Sequence, residues 1–182
     1  MMKYIKLYIC LAFLVMSESQ LVTAAKPKEK EITVPCMDKG RSDSQYFRAA
    51  SSAKSSSQIS SKDKSMLVTK QLLSSLIGST IKSVSNNFSK SIETSKVDGF
   101  MQSFDNLTNE FVNQQLRFIT ITCQTSNKNK DGMFETFTAI EMPKELLFEQ
   151  LNNSILQDNK LKVDYDQAKF KEIFDAEMKK LE

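Results

Sequence analysis

Three sets of side chains in this sequence have the types and spacing to do chemistry. Glu141 with Glu145, and Asp164 with Asp166, are paired carboxylates. Such pairs do acid–base work when one member is desolvated and the other stays ionised. Ser61-Lys62-Asp63-Lys64 and Ser52-Ala53-Lys54 place a hydroxyl near an amine, the pairing that serine–lysine hydrolases use. Asn127 to Gly132 (NKNKDG) carries part of the alternating oxygen pattern of a calcium loop. Each set also has a plainer reading. Glu141 and Glu145 flank a helix start, where acids meet the positive end of the helix dipole, and Asp164 is placed as a cap. The serine–lysine pairs fall in a segment so rich in both residues that such pairs are inevitable. NKNKDG alternates with lysines and lacks a later bidentate acid, so it reads as a hairpin turn. The chain has no histidine, which removes Ser-His-Asp and Cys-His catalysis and every imidazole metal site. Its four glycines, at 40, 78, 99 and 132, form no phosphate-cradling loop. The expectation is therefore no catalytic residue, no cofactor and no metal.

The cysteines are tied to the address. Lys3 and Lys6 precede an uncharged apolar run from Leu7 to Met16, and small residues close the segment at Ala24-Ala25. Ten apolar residues rise about 15 Å as a helix, half of a roughly 30 Å hydrocarbon core. Residues 1–25 thus read as a cleaved export signal, with no membrane span after cleavage. Cys10 lies inside the apolar run behind Leu7-Tyr8-Ile9, too early for lipid attachment, and leaves with the signal. Removing Lys3, Lys6 and Glu18 lowers the net charge from +3 to +2, too little to argue for nucleic acid or an anionic membrane. Cys36 and Cys123 remain. In an oxidising compartment an even number favours one structural disulfide, with two separate buried thiols as the alternative.

The elements that position these groups follow from periodicity. Residues 26–43 form a charged leader and a polar turn, and 44–182 suffice for a single domain. Tyr46 to Ala50 reads as a strand. A helix starting near Gln58 carries Met66, Thr69, Leu73, Leu76, Ile77, Ile81, Val84 and Phe88 at three- and four-residue steps. The polar stretch 89–96 ends or bends it. Val97, Phe100, Met101, Phe104, Leu107, Phe111 and Val112 mark a second helix. At Arg117 the period changes to two: Phe118, Thr120 and Thr122 face one way, and Ile119, Ile121 and Cys123 the other. Asp131-Gly132 reverses the chain into a strand over 133–142, which pairs with 117–124 as an antiparallel hairpin. Pro143 takes the first position of a helix lined by Leu146, Leu147, Leu151 and Ile155. Asp164 caps a last helix carrying Phe170, Ile173, Phe174 and Leu181, with Gln167 three residues on. The fold class is α+β, with helices on one face of a small antiparallel sheet in the order strand–helix–helix–strand–strand–helix–helix.

This order resembles a bacterial envelope family, the small lipoproteins named for a twenty-kilodalton member, and modules of a flagellar assembly protein. Tyr46-Phe47-Arg48-Ala49 looks like the family's first strand. Ser61, Ser65 and Thr69, continued by Leu73, look like its small-residue helix register, in which alanines usually let the helix lie close to the sheet. The family's glycines after the first strand appear here as Ala50 and Ser52, and the lipid cysteine is missing. Cysteines at 36 and 123 are similar to those of a set of exported relatives from gut-type bacteria. The resemblance implies a periplasmic or outer-envelope module without established catalysis, and it supplies no catalytic residue. It also makes the sequons at Asn87, Asn106 and Asn152 irrelevant, since those matter in a eukaryotic secretory route. The expected function is a non-enzymatic exported envelope protein acting by binding or assembly, with envelope proteins or a second copy as partner. A small periplasmic hydrolase or an apolar-ligand carrier is the alternative.

Overall fold

A computed structural model describes residues 33–92, 96–115 and 118–181. The export signal over 1–25, the leader to residue 32, and the change of period at Arg117 lie outside the described residues. So do the side chains of Phe111 and Val112. The elements are β1 (Tyr46–Ser55), α1 (Gln58–Ser89), α2 (Val97–Gln115), β2 (Thr120–Lys128), β3 (Phe134–Pro143), α3 (Lys144–Gln157) and α4 (Gln167–Lys179). Short 3-10 turns occupy Met37–Gly40 and Leu161–Asp164. The class is α+β, built on one small sheet.

The sheet is antiparallel in the order β1-β3-β2. The hairpin of β2 and β3 is present but displaced toward its turn: β2 starts at Thr120, leaving Phe118 and Ile119 outside the strand, and runs on to Lys128. Pairing runs from Thr120 opposite Glu141 to Lys128 opposite Phe134. The reversal is correspondingly tighter. Asn129 donates its backbone N–H to the Met133 carbonyl at 2.8 Å, Gly132 donates to the Asn129 carbonyl at 3.0 Å, and Gly132 has φ +83°. That left-handed backbone carries a steric penalty for any residue with a Cβ, which is why glycine ends this turn. β1 lies along the other side of β3, with Phe47 opposite Met142 and Ser51 opposite Thr138. It extends through the serine-rich stretch to Ser55, beyond the Tyr46-to-Ala50 strand read from the sequence.

Directly paired residues share a face of the sheet. Phe47, Ala49, Ile140 and Met142 therefore point to one side, where α1 crosses β1 and β3. The face of α1 that meets the sheet starts small and polar (Ser61, Ser65, Thr69) and becomes large and apolar (Leu73, Ile77, Ile81, Val84, Phe88), all buried. The second half of α1 no longer lies on the sheet alone. α2 and α4 pack against it, α3 packs on both of those, and Phe88, Phe100, Phe104, Phe148, Phe170 and Phe174 fill the space between the helices. Small residues allow close approach at one end, and aromatic rings fill a wider gap at the other.

Three sequence expectations need correction. Thr122 is the extra residue of a β-bulge between Ile121 and Cys123. The bulge flips the alternation, so Ile121 pairs with Ile140 on the helix side while Cys123 pairs with Ala139 on the opposite side. Pro143 is the last residue of β3, with extended ψ 132°, and precedes the helix instead of opening it. The cap of α4 is Asp166, not Asp164: its carboxylate accepts the Lys169 N–H at 3.0 Å. Asp164 closes the 3-10 turn before it, and that turn uses up the residues which would have formed an earlier helical start.

Candidate functional site

The face of the sheet away from α1 is covered by the segment that precedes β1. Cys36 is bonded to Cys123, with 5.5 Å between their Cα atoms. Phe137 and Ala139 are buried under Cys36, with Ala50 packed alongside. Gly40 lies so close to β1 that a Cβ on it would come within 2.5 Å of the Ala50 Cβ. Glycine is required there for contact, not for backbone freedom. The disulfide thus fastens a strap across β1, β3 and β2, and the paired state of the two cysteines is the one observed.

At the end of that strap Arg48 gathers four partners. Its Nε donates to Glu141 Oε2 at 2.8 Å, its Nη1 to Asp43 Oδ2 and to the Arg41 carbonyl, and its guanidinium lies 5.1 Å from the Tyr46 ring. The Glu141 bond, and then Asp43, raise the Arg48 pKa further. The Gln45 backbone N–H and the Arg48 side chain hold the Asp43 carboxyl below its ordinary value. Glu141 is therefore an ion-pair partner across the β1–β3 register and does not act with Glu145, which is exposed on the first turn of α3. Among the carboxylates at 164 and 166, Asp166 is occupied as a cap.

The serine–lysine pairs are separated in the same way. Ser61 and Ser65 are buried, and their Oγ atoms lie 2.7 Å from Thr136 Oγ1 and Thr138 Oγ1 respectively. Ser51 Oγ lies 2.6 Å from Thr69 Oγ1 and donates to the Ser65 carbonyl. These hydroxyls bond to each other at the contact of α1 with the sheet, while Lys62 and Lys64 are exposed. Ser52 and Lys54 both reach Glu135, on the opposite face. In the 127–132 segment the Asp131 carboxylate accepts the Met133 N–H at 2.9 Å and the Asn129 amide nitrogen donates to Glu135, so both side chains serve the turn. No group of three or more Cys, Asp or Glu among the described residues is arranged to hold a metal ion.

A cleft of about 540 Å³ opens where the start of β1, the start of α3 and the end of α4 meet. Tyr46, Pro143, Phe174 and Met178 form its apolar walls, and Glu145, Asp175 and Lys179 bring both signs of charge to it. Sequence reasoning missed the two buried charges nearby. Lys144 is 4% exposed; its amine donates to the Met178 carbonyl at 2.9 Å and stands 5.6 Å from the Phe47 ring. A cation there complements the negative end of α4. Glu177 is 6% exposed and accepts from Ser83 Oγ at 2.7 Å, Asn87 Nδ2 at 2.8 Å and Lys180 Nζ. In sequence both look like ordinary helix-surface charges, and no local signal marks them. Another buried polar pair joins Tyr165 Oη to Asn152 Oδ1 at 2.7 Å, and burial, then Asp166, pushes the Tyr165 phenol well above its usual pKa.

Burial alone would raise the Glu177 carboxyl, but the bonds from Lys180, Ser83 and Asn87 outweigh it and leave the pKa below the usual 4.5. A depressed folded-state value means stability that is present above the unfolded value and lost as pH falls through the folded one. We expect the urea midpoint to fall on acidification below about pH 4.5. Glu177→Gln should lower stability by about 1–2 kcal/mol at neutral pH, because it leaves part of this buried bonding unmatched, and should flatten the acid limb. Equal acid limbs in the two proteins would show that Glu177 does not couple α4 to α1.

The structure is thus a one-sheet α+β domain with a strapped outer face and a mixed-charge cleft. No protein-family model, curated protein or solved structure matches the chain. No helix among the described residues is long and apolar enough to cross a membrane.

Proposed function

We propose that this chain is a non-enzymatic exported protein of the cell envelope, working by binding or assembly as a non-lipidated relative of the small lipoproteins its sequence resembles. One observation carries the reading. Of the groups singled out by type and spacing, Glu141 is engaged with Arg48, Asp166 with a helix end, and Ser61 and Ser65 with Thr136 and Thr138. Glu145 lines the cleft, but without Glu141, the acid it would need for paired acid–base work. The Cys36–Cys123 bridge supports a periplasmic or outer-envelope address, because such bonds persist where the compartment is oxidising. Apolar-ligand carriage is the second reading. It is favoured by the volume of the cleft and by Tyr46, Phe174 and Met178, and opposed by the four charged residues along it, Lys144, Glu145, Asp175 and Lys179.

Fractionation of cells expressing the full chain, followed by crosslinking in the intact envelope, tests the proposal. The expected result is a processed, disulfide-bonded protein in the envelope fraction, crosslinked to a protein partner or to itself. A cytoplasmic protein with free thiols would overturn the address. Saturable retention of a fatty acid or similar apolar probe by the purified protein, abolished by Tyr46→Glu at the half-buried wall of the cleft while the variant stays folded, would favour the carrier instead.

A further inference from the structure

We propose that the outer edge of β2 pairs with β2 of a second copy of this chain, antiparallel about a two-fold axis at Thr125, to form one continuous sheet. This rests on the binding-or-assembly reading and names the partner and the surface. The two outer strands of the sheet differ in what meets their outward backbone groups. Tyr46 donates its N–H to Asp43 Oδ1 at 2.9 Å, its carbonyl accepts from the Asp43 N–H at 3.2 Å, and the Arg48 N–H reaches Ser42 Oγ at 3.0 Å. Residues 46 and 48 therefore face outward, and the chain covers this part of the β1 edge with its own strap.

Alternation fixes the rest. If residues 47, 49 and 51 bond inward to 142, 140 and 138, then β3 turns 141, 139, 137 and 135 toward β2. These meet Thr120, Cys123, Thr125 and Asn127. Gln124, Ser126 and Lys128 are left with N–H and C=O groups directed away from the sheet, and no described residue bonds to them.

Natural sheet edges are blunted by charge, proline or covering segments. β1 has Arg48, Lys54 and the strap. β2 has a bulge at Thr122, but from Thr120 to Asn127 it contains no charge, no proline and no glycine. A second copy suits this edge better than an arbitrary extended segment because the register is self-complementary. With Thr125 on the axis, Gln124 of one copy lies opposite Ser126 of the other, and both present outward backbone groups. Lys128 lies opposite Thr122 of the second copy, so no like charges meet. The Lys128 stem also comes beside Ile121, whose side chain is half exposed. An isologous pairing of this kind closes on itself and removes both open edges at once.

The test uses the processed full chain with its disulfide intact. Sedimentation equilibrium should show a monomer–dimer equilibrium, with Gln124, Ser126 and Lys128 amides protected from exchange at high concentration and released on dilution. Thr125 is exposed, so Thr125→Lys and Thr125→Glu place like charges across the axis without disturbing the core. Each should weaken dimerisation by about fivefold, the upper end of the cross-strand pair range, with the loss shrinking at high salt. Mixing the two variants should restore a heterodimer, which a folding defect could not do. A monomer at every concentration, fast exchange of those amides in the wild type, or dimers that survive both substitutions would overturn the proposal. A monomeric purified chain that still crosslinks to a different envelope protein would sink self-pairing and leave the binding reading standing.

Discussion

Replacing Cys36 and Cys123 together with serine is expected to lower the unfolding free energy by about 4–5 kcal/mol. The bridge closes a loop spanning 87 positions, and the chain-entropy model assigns a loop of that length a stabilisation of about that size. For a domain whose total stability is of the order of 5–15 kcal/mol, this is a large share. The structure adds a second contribution. Without the bridge nothing covalent holds the strap on the outer face of the sheet, where it covers Phe137 and Ala139. The measurement is urea unfolding of wild type with and without reductant, beside the double serine variant. Reduced wild type and the variant should share one lowered midpoint. Identical midpoints in all three samples, or two free thiols in protein isolated from its native compartment, would defeat the prediction.

The same disulfide shows where sequence reasoning succeeds and where it stops. Counting cysteines after signal removal points to a single pairing, because only two remain. Their placement on a common face was not legible. In Thr120-Ile121-Thr122-Cys123 every residue suits either side of a strand, so period alone sets Ile121 and Cys123 together. The bulge at Thr122 separates them, and only the position of Cys36 across the sheet gives a reason for it. The start of α1 at Gln58 was readable from the apolar stripe that follows the polar stretch, and the extended backbone of Ser57 agrees with it. The register Ser61, Ser65, Thr69 was readable as small. Its partners Thr136 and Thr138 were not, because alternating threonines in a strand look the same whether they face water or a helix. Lys144 and Glu177 were invisible for a related reason. A lysine or glutamate is normally exposed, and what buries these two is the end of a different helix.

The polar and the aromatic ends of α1 differ in how they are held, and this bears on what a purified variant would report. At the sheet end, a chain of hydroxyls fixes the distance between α1 and β3, and the strap and its disulfide secure the opposite face. Individual hydroxyl bonds of this kind are each worth roughly 0.5–1.5 kcal/mol, so the contact is shared among many groups. At the other end, a few large rings join four helices that have no covalent tie to one another beyond the chain.

Phe170→Ala is therefore expected to cost about 3–5 kcal/mol, the range for removing a buried phenylalanine. Phe170 is fully buried on α4, with ring centroids 5.3 Å from Phe88 on α1, 6.2 Å from Phe104 on α2 and 6.4 Å from Phe148 on α3. Tyr165, 5.3 Å away, completes the cluster. Among the described residues no other ring meets a ring on each of the other three helices, so its loss opens a cavity where they meet. Phe170→Leu keeps most of the volume and should cost clearly less. If the domain unfolds as one unit, far-UV ellipticity and tyrosine fluorescence should show the same lowered midpoint for Phe170→Ala. Two separated transitions, with the strapped sheet outlasting the helices, would mean that the hydroxyl contact along α1 does not couple the halves. A shift below about 1 kcal/mol would contradict the packing of α4 against α1, α2 and α3 through this ring.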